Sequence, residues 1–429
     1  MKKFLLMSCA ALATLTINAA DLTGVAPTMQ VNAQQSLVFK SVDHKPFKEI
    51  NGRTIETKAI KPVVMKAAAQ PAKAAELPYQ NYVSVAQNYE ESYTCDSVHV
   101  EAANVTDEEG NTYNVKINFL RDYAQDVYGV YDEDAQTLTI PAGQVCYTND
   151  TYGDMTIAGL SAGETSGSYN VVDITFDVDP TDGTLMQQED GYAVLIQEGT
   201  YAGYAWISDF GNIQWYPMNA YFTYMMSTNN GWTGTTTGAA VVDNGNSIDV
   251  YNAFNIASIF NYQGYNGACI SMDIDESAGT CTVKMGQNVY AGQEIYGSDW
   301  SNKAETYGEY WTLVGCAVDK TAGQISTDRT IESMTGKYSA QTGYKAAGLT
   351  DTYDYYRIAS GADSDGAAYG LWCYGMLVEW GDLIVAGVDG VTVNKPATTN
   401  SNIYNLNGQL VGKDFKGLVI KNGKKMIQK

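Results

Sequence analysis

Two stretches of the chain, Tyr131–Gln144 (YDEDAQTLTIPAGQ) and Ile274–Gln287 (IDESAGTCTVKMGQ), spell the same pattern 143 residues apart. Asp132, Glu133, Ala135, Thr137, Thr139, Gly143 and Gln144 recur as Asp275, Glu276, Ala278, Thr280, Thr282, Gly286 and Gln287. Each stretch alternates apolar and polar residues on both sides of an acidic, small-residue turn, the signature of a β-hairpin. Leu138 and Ile140 point to one face, Thr137 and Thr139 to the other. Cys281 takes the place of Leu138, an alternating apolar position that suits a buried thiol acting as a small hydrophobe. A chain that repeats a hairpin at this distance is expected to hold two related β-domains in tandem. Further matches are read upstream, Ser97–Val100 with Ser247–Val250, and downstream, Tyr152-Gly153 with Tyr296-Gly297.

The expected fold class is all-β: two tandem related β-sandwich or barrel-like domains followed by a short β-hairpin tail. The domains are placed at 79–233 and 234–388, each long enough for its own core. Abundant Tyr, Gly, Thr and Asn with few Leu support strands and turns. In GAAVVDNGNSIDVYNAFNIASIF both helix and strand stay open. Ahead of the domains, 21–78 reads as a polar leader, with a small hairpin about Asn51-Gly52 and an Ala/Pro/Lys linker over Ile60–Pro78.

Residues 1–20 have Lys2 and Lys3, an apolar run from Phe4 to Ile17, and small residues at Ala19 and Ala20, the form of a secretory signal peptide. Cys9 is read as an ordinary residue of that signal. No later segment has the length and apolarity of a transmembrane helix. The six cysteines after the signal allow up to three disulfides, with the pairing open.

Between residues 76 and 394 there are 43 Asp or Glu and 9 Lys or Arg, whereas 395–429 holds 7 Lys and the single acid Asp414. An acidic body repels phosphate backbones, so nucleic acid is excluded as its partner. Calcium stays open as a ligand of acidic loops such as Asp177–Gly183 and Ala362–Gly366, although neither has the EF-hand spacing. No other cofactor is implied.

Catalytic motifs give little. His44 and His99 are the only histidines. Gly159-Leu160-Ser161-Ala162-Gly163 matches the nucleophile-elbow pattern, but both histidines precede Ser161 and the surroundings are β-rich, so a glycine-rich turn is expected. Asp132, Glu133 and Asp134 sit together on one hairpin tip, whereas a glycosidase pair must flank a cleft. A carboxylate-only hydrolase is kept as the alternative from another class, and a structural surface or matrix component as a third.

The positive signal is aromatic. The chain has 32 Tyr, and YAGYAWISDFGNIQWYPMNAYFTY concentrates Tyr201, Tyr204, Trp206, Trp215, Tyr216 and Tyr221. A second segment holds Trp372, Tyr374 and Trp380. Exposed Tyr and Trp are rigid and amphipathic, suited to sugar rings and protein surfaces. Tyr204, Trp206, Trp215, Tyr216, Trp372 and Trp380 are therefore the ligand-binding candidates, with a glycan or a host or cell-surface protein as partner. No residue is a catalytic or metal candidate.

The tail, 389–429, has two Asn-Gly turns, Asn407-Gly408 and Asn422-Gly423, between alternating apolar residues. IYNLNGQLV followed by KGLVIKNGKKMIQK resembles the C-terminal sorting domain of the Por (type IX) secretion system of Bacteroidetes-type bacteria. The resemblance implies delivery outside the outer membrane, with the tail read by the secretion translocon; the leading Pro-Asn-Pro segment of that family is absent. The repeated hairpin is also similar to domains in uncharacterised surface proteins of such bacteria. A secreted or surface location follows, with the periplasm second.

Overall fold

The structure, a computed structural model, describes residues 46–50, 53–56, 63–67, 77–89, 92–118, 125–163, 167–228, 231–254, 269–291, 310–316, 318–319, 324–325, 331–350, 355–360, 370–381 and short strands between 403 and 428. Every regular element among them is a strand except one 3-10 turn. The leader supplies β1 (Glu49–Ile50), β2 (Arg53–Glu56) and β3 (Lys66–Ala67). The first repeat runs through β4 (Asn81–Tyr89), β5 (Ser92–Thr106), β6 (Thr112–Asn118), β7 (Val127–Asp132), β8 (Thr137–Ile140), β9 (Val145–Asn149), β10 (Gly153–Ala162) and β11 (Ser168–Val172). It continues with β12 (Ile174–Val178), β13 (Leu185–Gln187), β14 (Gly191–Ile196), β15 (Ala205–Phe210) and β16 (Gln214–Pro217).

The second repeat holds β17 (Ala220–Thr228), β18 (Gly231–Asp243), β19 (Ser247–Tyr251), β20 (Cys269–Asp275), β21 (Thr280–Lys284), β22 (Asn288–Ala291) and β23 (Tyr310–Cys316). A small hairpin, β24 (Val318–Asp319) with β25 (Gln324–Ile325), precedes β26 (Ser333–Gln341), β27 (Tyr344–Gly348), β28 (Tyr355–Ser360) and β29 (Gly370–Trp380).

Each repeat closes into an antiparallel barrel of eight strands. The first ring is β4-β5-β6-β7-β8-β12-β13-β16, and β16 returns to β4. The second is β17-β18-β19-β20-β21-β26-β27-β29, and β29 returns to β17. Of the two expected architectures the barrel is the one formed. Closure removes the sheet edges that a sandwich would leave exposed.

The rings match strand for strand. From the repeated hairpin, Leu138 pairs with Phe176 and Cys281 with Gly336. Going on around, Trp215 answers to Val378 and Tyr82 to Ala220. Going the other way, through β6 and β19, Tyr82 meets Val98 where Ala220 meets Ala239, the same equivalence. Agreement from both directions means that both rings have one register and one stagger.

That register corrects two expectations. Ser247–Val250 answers to Asn114–Ile117, because Val115 pairs with Gly129 as Ile248 pairs with Met272; the likeness to Ser97–Val100 is coincidental. Tyr296-Gly297 lies outside the described residues. The division between the repeats falls at 218–219 rather than 233/234, since β17 closes the second barrel. GAAVVDNGNSIDVY is strand, as β18 and β19.

The repeated letters build the same hardware in both copies. Asp132 Oδ1 accepts the backbone N–H of Asp134 and of Ala135, both at 3.0 Å. Asp275 Oδ1 accepts that of Ala278 at 2.9 Å. Gln136 and Gly279 then turn the chain at φ 54° and 65°. The terminal glutamine clamps the hairpin. Gln144 Oε1 accepts Tyr128 N–H at 2.7 Å, and its Nε2 donates to the Tyr128 and Pro141 carbonyls. Gln287 makes the same three bonds, to Ser271 N–H, Ser271 O and Lys284 O. The side-chain amide thus substitutes for a strand at a point where the ladder has none.

Beside the first barrel lies an accessory sheet, whereas β28, β23 and β22 extend the second barrel's own sheet from β29. The accessory sheet runs β2-β11-β10-β14-β15, with β9 also on β10. The leader is integral to it: β2 pairs in parallel with β11, and Phe47 bridges to Ala205 on β15, nearly closing a small barrel. Ile55 is fully buried there among Ala158, Leu160, Tyr169, Ala193, Leu195 and Phe210. The hairpin strands expected there form, β1 pairing with β2, while Asn51-Gly52 lies outside the described residues. The linker expectation for 60–78 also needs correction, because Val63 bridges to Gln144, β3 pairs with β5 and Leu77 is buried.

Gly159–Gly163, expected as a turn, is the interior of β10 and its end. A Cβ on Gly159 would stand 2.6 Å from the Asp173 carbonyl, so the glycine permits close strand approach. Both faces of β10 are buried, one against the first barrel and one in the accessory core. That burial erases the alternation by which a strand is recognised. The tail forms its own antiparallel sheet of β30 (Ile403–Asn405), β31 (Leu410–Val411), β32 (Gly417–Lys421) and β33 (Lys424–Gln428), in the order β31-β30-β32-β33.

Candidate functional site

Rings from two loops and a strand meet at one end of the accessory sheet. Tyr204 and Trp206 flank the start of β15, and Tyr201 ends the 3-10 turn Gly199–Tyr201 before it. Positive φ at Gly199 (77°) and Gly203 (81°) lets the chain reverse within this short connection. Gly203 and Tyr204 bond back to the preceding strand through Ile196 O and N–H. Tyr147 and Tyr152 arrive from β9 and the turn after it, where Asn149 Oδ1 accepts the N–H of Thr151 and of Tyr152.

Trp206 is the floor of the cluster, 9% exposed, with Tyr147 stacked at 6.5 Å and Tyr152 tilted at 5.3 Å. Tyr201 stands edge-on to both Tyr152 and Tyr204, each at 5.5 Å, and is 41% exposed. Lys48 of the leader lies 5.9 Å from the Tyr204 ring centroid, a cation–π contact. Its place is fixed by the two hydrogen bonds between Phe47 and Ala205. Gln197, just past β14, fastens the start of the loop to strand β10, its Nε2 donating to Thr156 Oγ1 at 2.6 Å. The result is a braced, amphipathic surface of half-buried rings crowned by an exposed one.

Of the six candidates, the structure brings Tyr204 and Trp206 together and sends the others elsewhere. Trp215 is fully buried inside the first barrel, 4.3 Å from Phe176, so its role as a contact platform is replaced by one in the core. Trp380 is 5% exposed in the second barrel, tilted against Tyr338, and is corrected in the same way. Tyr216 stacks on Tyr251 at 4.9 Å and 7°, where the walls of the two barrels meet. Trp372 lies on β29, and its side chain is outside the described residues. Tyr147 and Tyr152 were missed, although two tyrosines around a TND turn were a readable sign of exposed rings on a tight loop.

The remaining groups have structural roles. His99 is exposed on β5 and its Nδ1 lies 2.8 Å from Asn81 Oδ1. Asp179 accepts the Thr181 N–H in the Asp177–Gly183 turn, and that bond holds its carboxyl below the ordinary value. Glu379, 4% exposed, is pushed above the ordinary value by burial while it accepts the Tyr344 hydroxyl at 2.6 Å. Among the described residues no three His, Cys, Asp or Glu side chains gather in a way that could hold a metal ion. His44 and Ala362–Gly366 lie outside the described residues. No described helix is long and apolar enough to cross a membrane. Compared with family profiles, curated proteins and solved structures, the chain matches none.

Proposed function

We propose that the protein is a secreted or cell-surface, non-catalytic binding protein whose ligand is a glycan, held at the cluster of Tyr147, Tyr152, Tyr201, Tyr204 and Trp206. The carrying observation is the exposed Tyr201 ring set on braced tyrosines over a buried tryptophan. Pre-packed rings lose little freedom on binding, and each offers an apolar face with a polar rim, which matches a pyranose ring. Asp154 and Glu198, exposed and close in sequence to Tyr152 and to the Gly199–Tyr201 turn, carry carboxylate oxygens that can accept sugar hydroxyls. The signal-like start, and the tail that resembles a type IX sorting domain read by a secretion translocon, support delivery outside the cell.

The hydrolase alternative rests on acids such as Asp132, Glu133 and Asp134, and Asp132 is already engaged by its own turn. The test is binding of the full chain to a broad polysaccharide set, with and without calcium, followed by tryptophan fluorescence. Tyr201→Ala is expected to weaken a glycan hit about tenfold or more, roughly 1.4 kcal/mol. A hit untouched by Tyr201→Ala and Tyr152→Ala refutes the site, and a protein ligand without any glycan refutes the ligand class.

A further inference from the structure

The two barrels touch through their outer walls, and a cysteine from each lies in that contact. Val83 and Val85 on β4 and Cys95 on β5 pack with Ala240 on β18, Tyr251 on β19 and Cys269 on β20 in one buried apolar cluster. On β5, Val98 and Val100 point into the first barrel, so Cys95 points out; on β20, Ile270 and Met272 point into the second, so Cys269 points out. The strand registers bring them close. Cys269 is the cross-strand partner of Tyr251, and the backbone amide of Asn252, the next residue, hydrogen-bonds the Cys95 sulfur. The other described thiols are occupied within their own repeats. Cys146 donates to Met155 O and Cys281 to Lys337 O, while Cys373 is buried beside Tyr356.

We propose that Cys95 and Cys269 are a disulfide-forming pair that fastens the two barrels to each other in an oxidising compartment. The oxidant is a disulfide donor, either a low-molecular-weight disulfide or an exchange enzyme. One thiolate attacks the donor and releases one thiol. The second thiolate then attacks the mixed disulfide and releases the other, so two protein thiols are oxidised and one donor disulfide is reduced. Burial pushes the Cys95 thiol up to about 12 and the Cys269 thiol upward too, the latter also through the nearness of Cys95. The docked pair therefore holds almost no thiolate at neutral pH. The first exchange belongs to the stage before the barrels dock, or to moments when they part, and the second closes as docking brings the two sulfurs together, so the finished bond records that docking took place.

The experiment refolds the full chain with oxidised and reduced glutathione, then alkylates it and maps its peptides with and without reduction. A linked Cys95–Cys269 peptide, with the mass of two hydrogen atoms lost from the intact protein, is the expected result. Oxidant added to the folded protein should form the bond slowly, and at least tenfold faster in denaturant just below the unfolding transition. Cys95→Ser and Cys269→Ser should each abolish the link. Recovery of both thiols alkylated from the refolded, oxidant-treated wild type, or a link to another cysteine in place of this pair, overturns the proposal without recourse to the variants.

Discussion

The two barrels share a register and oppose each other in how they fill it. Where the first holds Tyr82, Phe176, Leu185 and Trp215, with Phe176 and Tyr82 packed on the tryptophan, the second holds Ala220, Gly336, Ala347 and Val378 at the equivalent places. The second moves its aromatic mass along the barrel. Phe222 stands at the place of Ser84 and joins Tyr224, Phe254 and Tyr356 in a cluster of rings about 5–6 Å apart. Its backbone also closes in: a Cβ on Gly336 would stand 2.1 Å from the Gly348 carbonyl. What the copies keep is the turn and the glutamine clamp, which fix register; what they exchange is core volume, which many residue sets can fill. Register is the conserved quantity because a one-residue slip would turn every interior side chain outward.

The largest expected effect contrasts the cores directly. Phe176→Ala removes a fully buried ring and should cost about 3–5 kcal/mol, while Gly336→Ala at the equivalent place adds volume and should cost about 1–3 kcal/mol. Denaturant unfolding followed by near-ultraviolet circular dichroism and tryptophan fluorescence would separate them. If Gly336→Ala were harmless, the account of backbone closing into the second barrel would fail.

The clamp should show a smaller difference. Gln144 is 2% exposed and Gln287 is only half-buried. Gln144→Ala leaves the half-buried Tyr128 amide and carbonyl, covered by the buried glutamine, without these bonds, at about 1–3 kcal/mol. Water can reach the Ser271 groups after Gln287→Ala, so that loss should stay below about 1.5 kcal/mol. Equal losses would mean that the clamp matters through the hairpin and not through burial.

What was readable in the sequence follows the same division. The hairpins were legible because turn chemistry and period-two alternation are local, as in Asp132–Ile140 and in Arg53–Glu56. Barrel closure was not, because it depends on β5 meeting β6 while β4 meets β16 across 125 or more residues. The boundary was misplaced because only Met218 and Asn219 separate the last strand of one ring from the first of the next, with no glycine or proline run to mark it. Among the aromatics, neighbours such as Trp215 and Tyr216 point to opposite faces. Sequence shows the alternation without showing which face is inside, so core rings and surface rings look alike. Tyr204 and Trp206 came from the same aromatic-rich segment as Trp215, and what sets them apart is the Gly-rich turn beside them, since loops carry exposed rings.

Acid titration probes another non-equivalence, since Glu379 occupies the place that Tyr216 holds in the first barrel. Burial raises its folded-state pKa above the unfolded one, so the folded chain binds the extra proton in the window between them. Stability contributed by this group is present below the ordinary glutamate range and is lost as pH rises through the raised value. Glu379→Gln should flatten that dependence and leave stability at pH 7 equal or higher, read as thermal unfolding midpoints from pH 4 to 8. A slope that survives in the variant would assign it to another group.

The smallest effect lies at the hairpin tips, where the copies solve one turn with different residues. Gln136 accepts a left-handed φ of 54° that costs a residue with a Cβ about 1 kcal/mol or more, whereas Gly279 takes 65° freely. Glycine's greater freedom in the unfolded chain offsets part of the difference, and Gln136 also gives up a side-chain hydrogen bond to Glu133 O on replacement. Gln136→Gly should therefore stabilise by no more than about 0.5 kcal/mol, and Gly279→Gln should destabilise by about 0.5–1 kcal/mol. Opposite signs would show that the two tips are the same turn under different loads; a loss from both substitutions would mean that the Gln136 side chain, and not its backbone angle, sets the first tip.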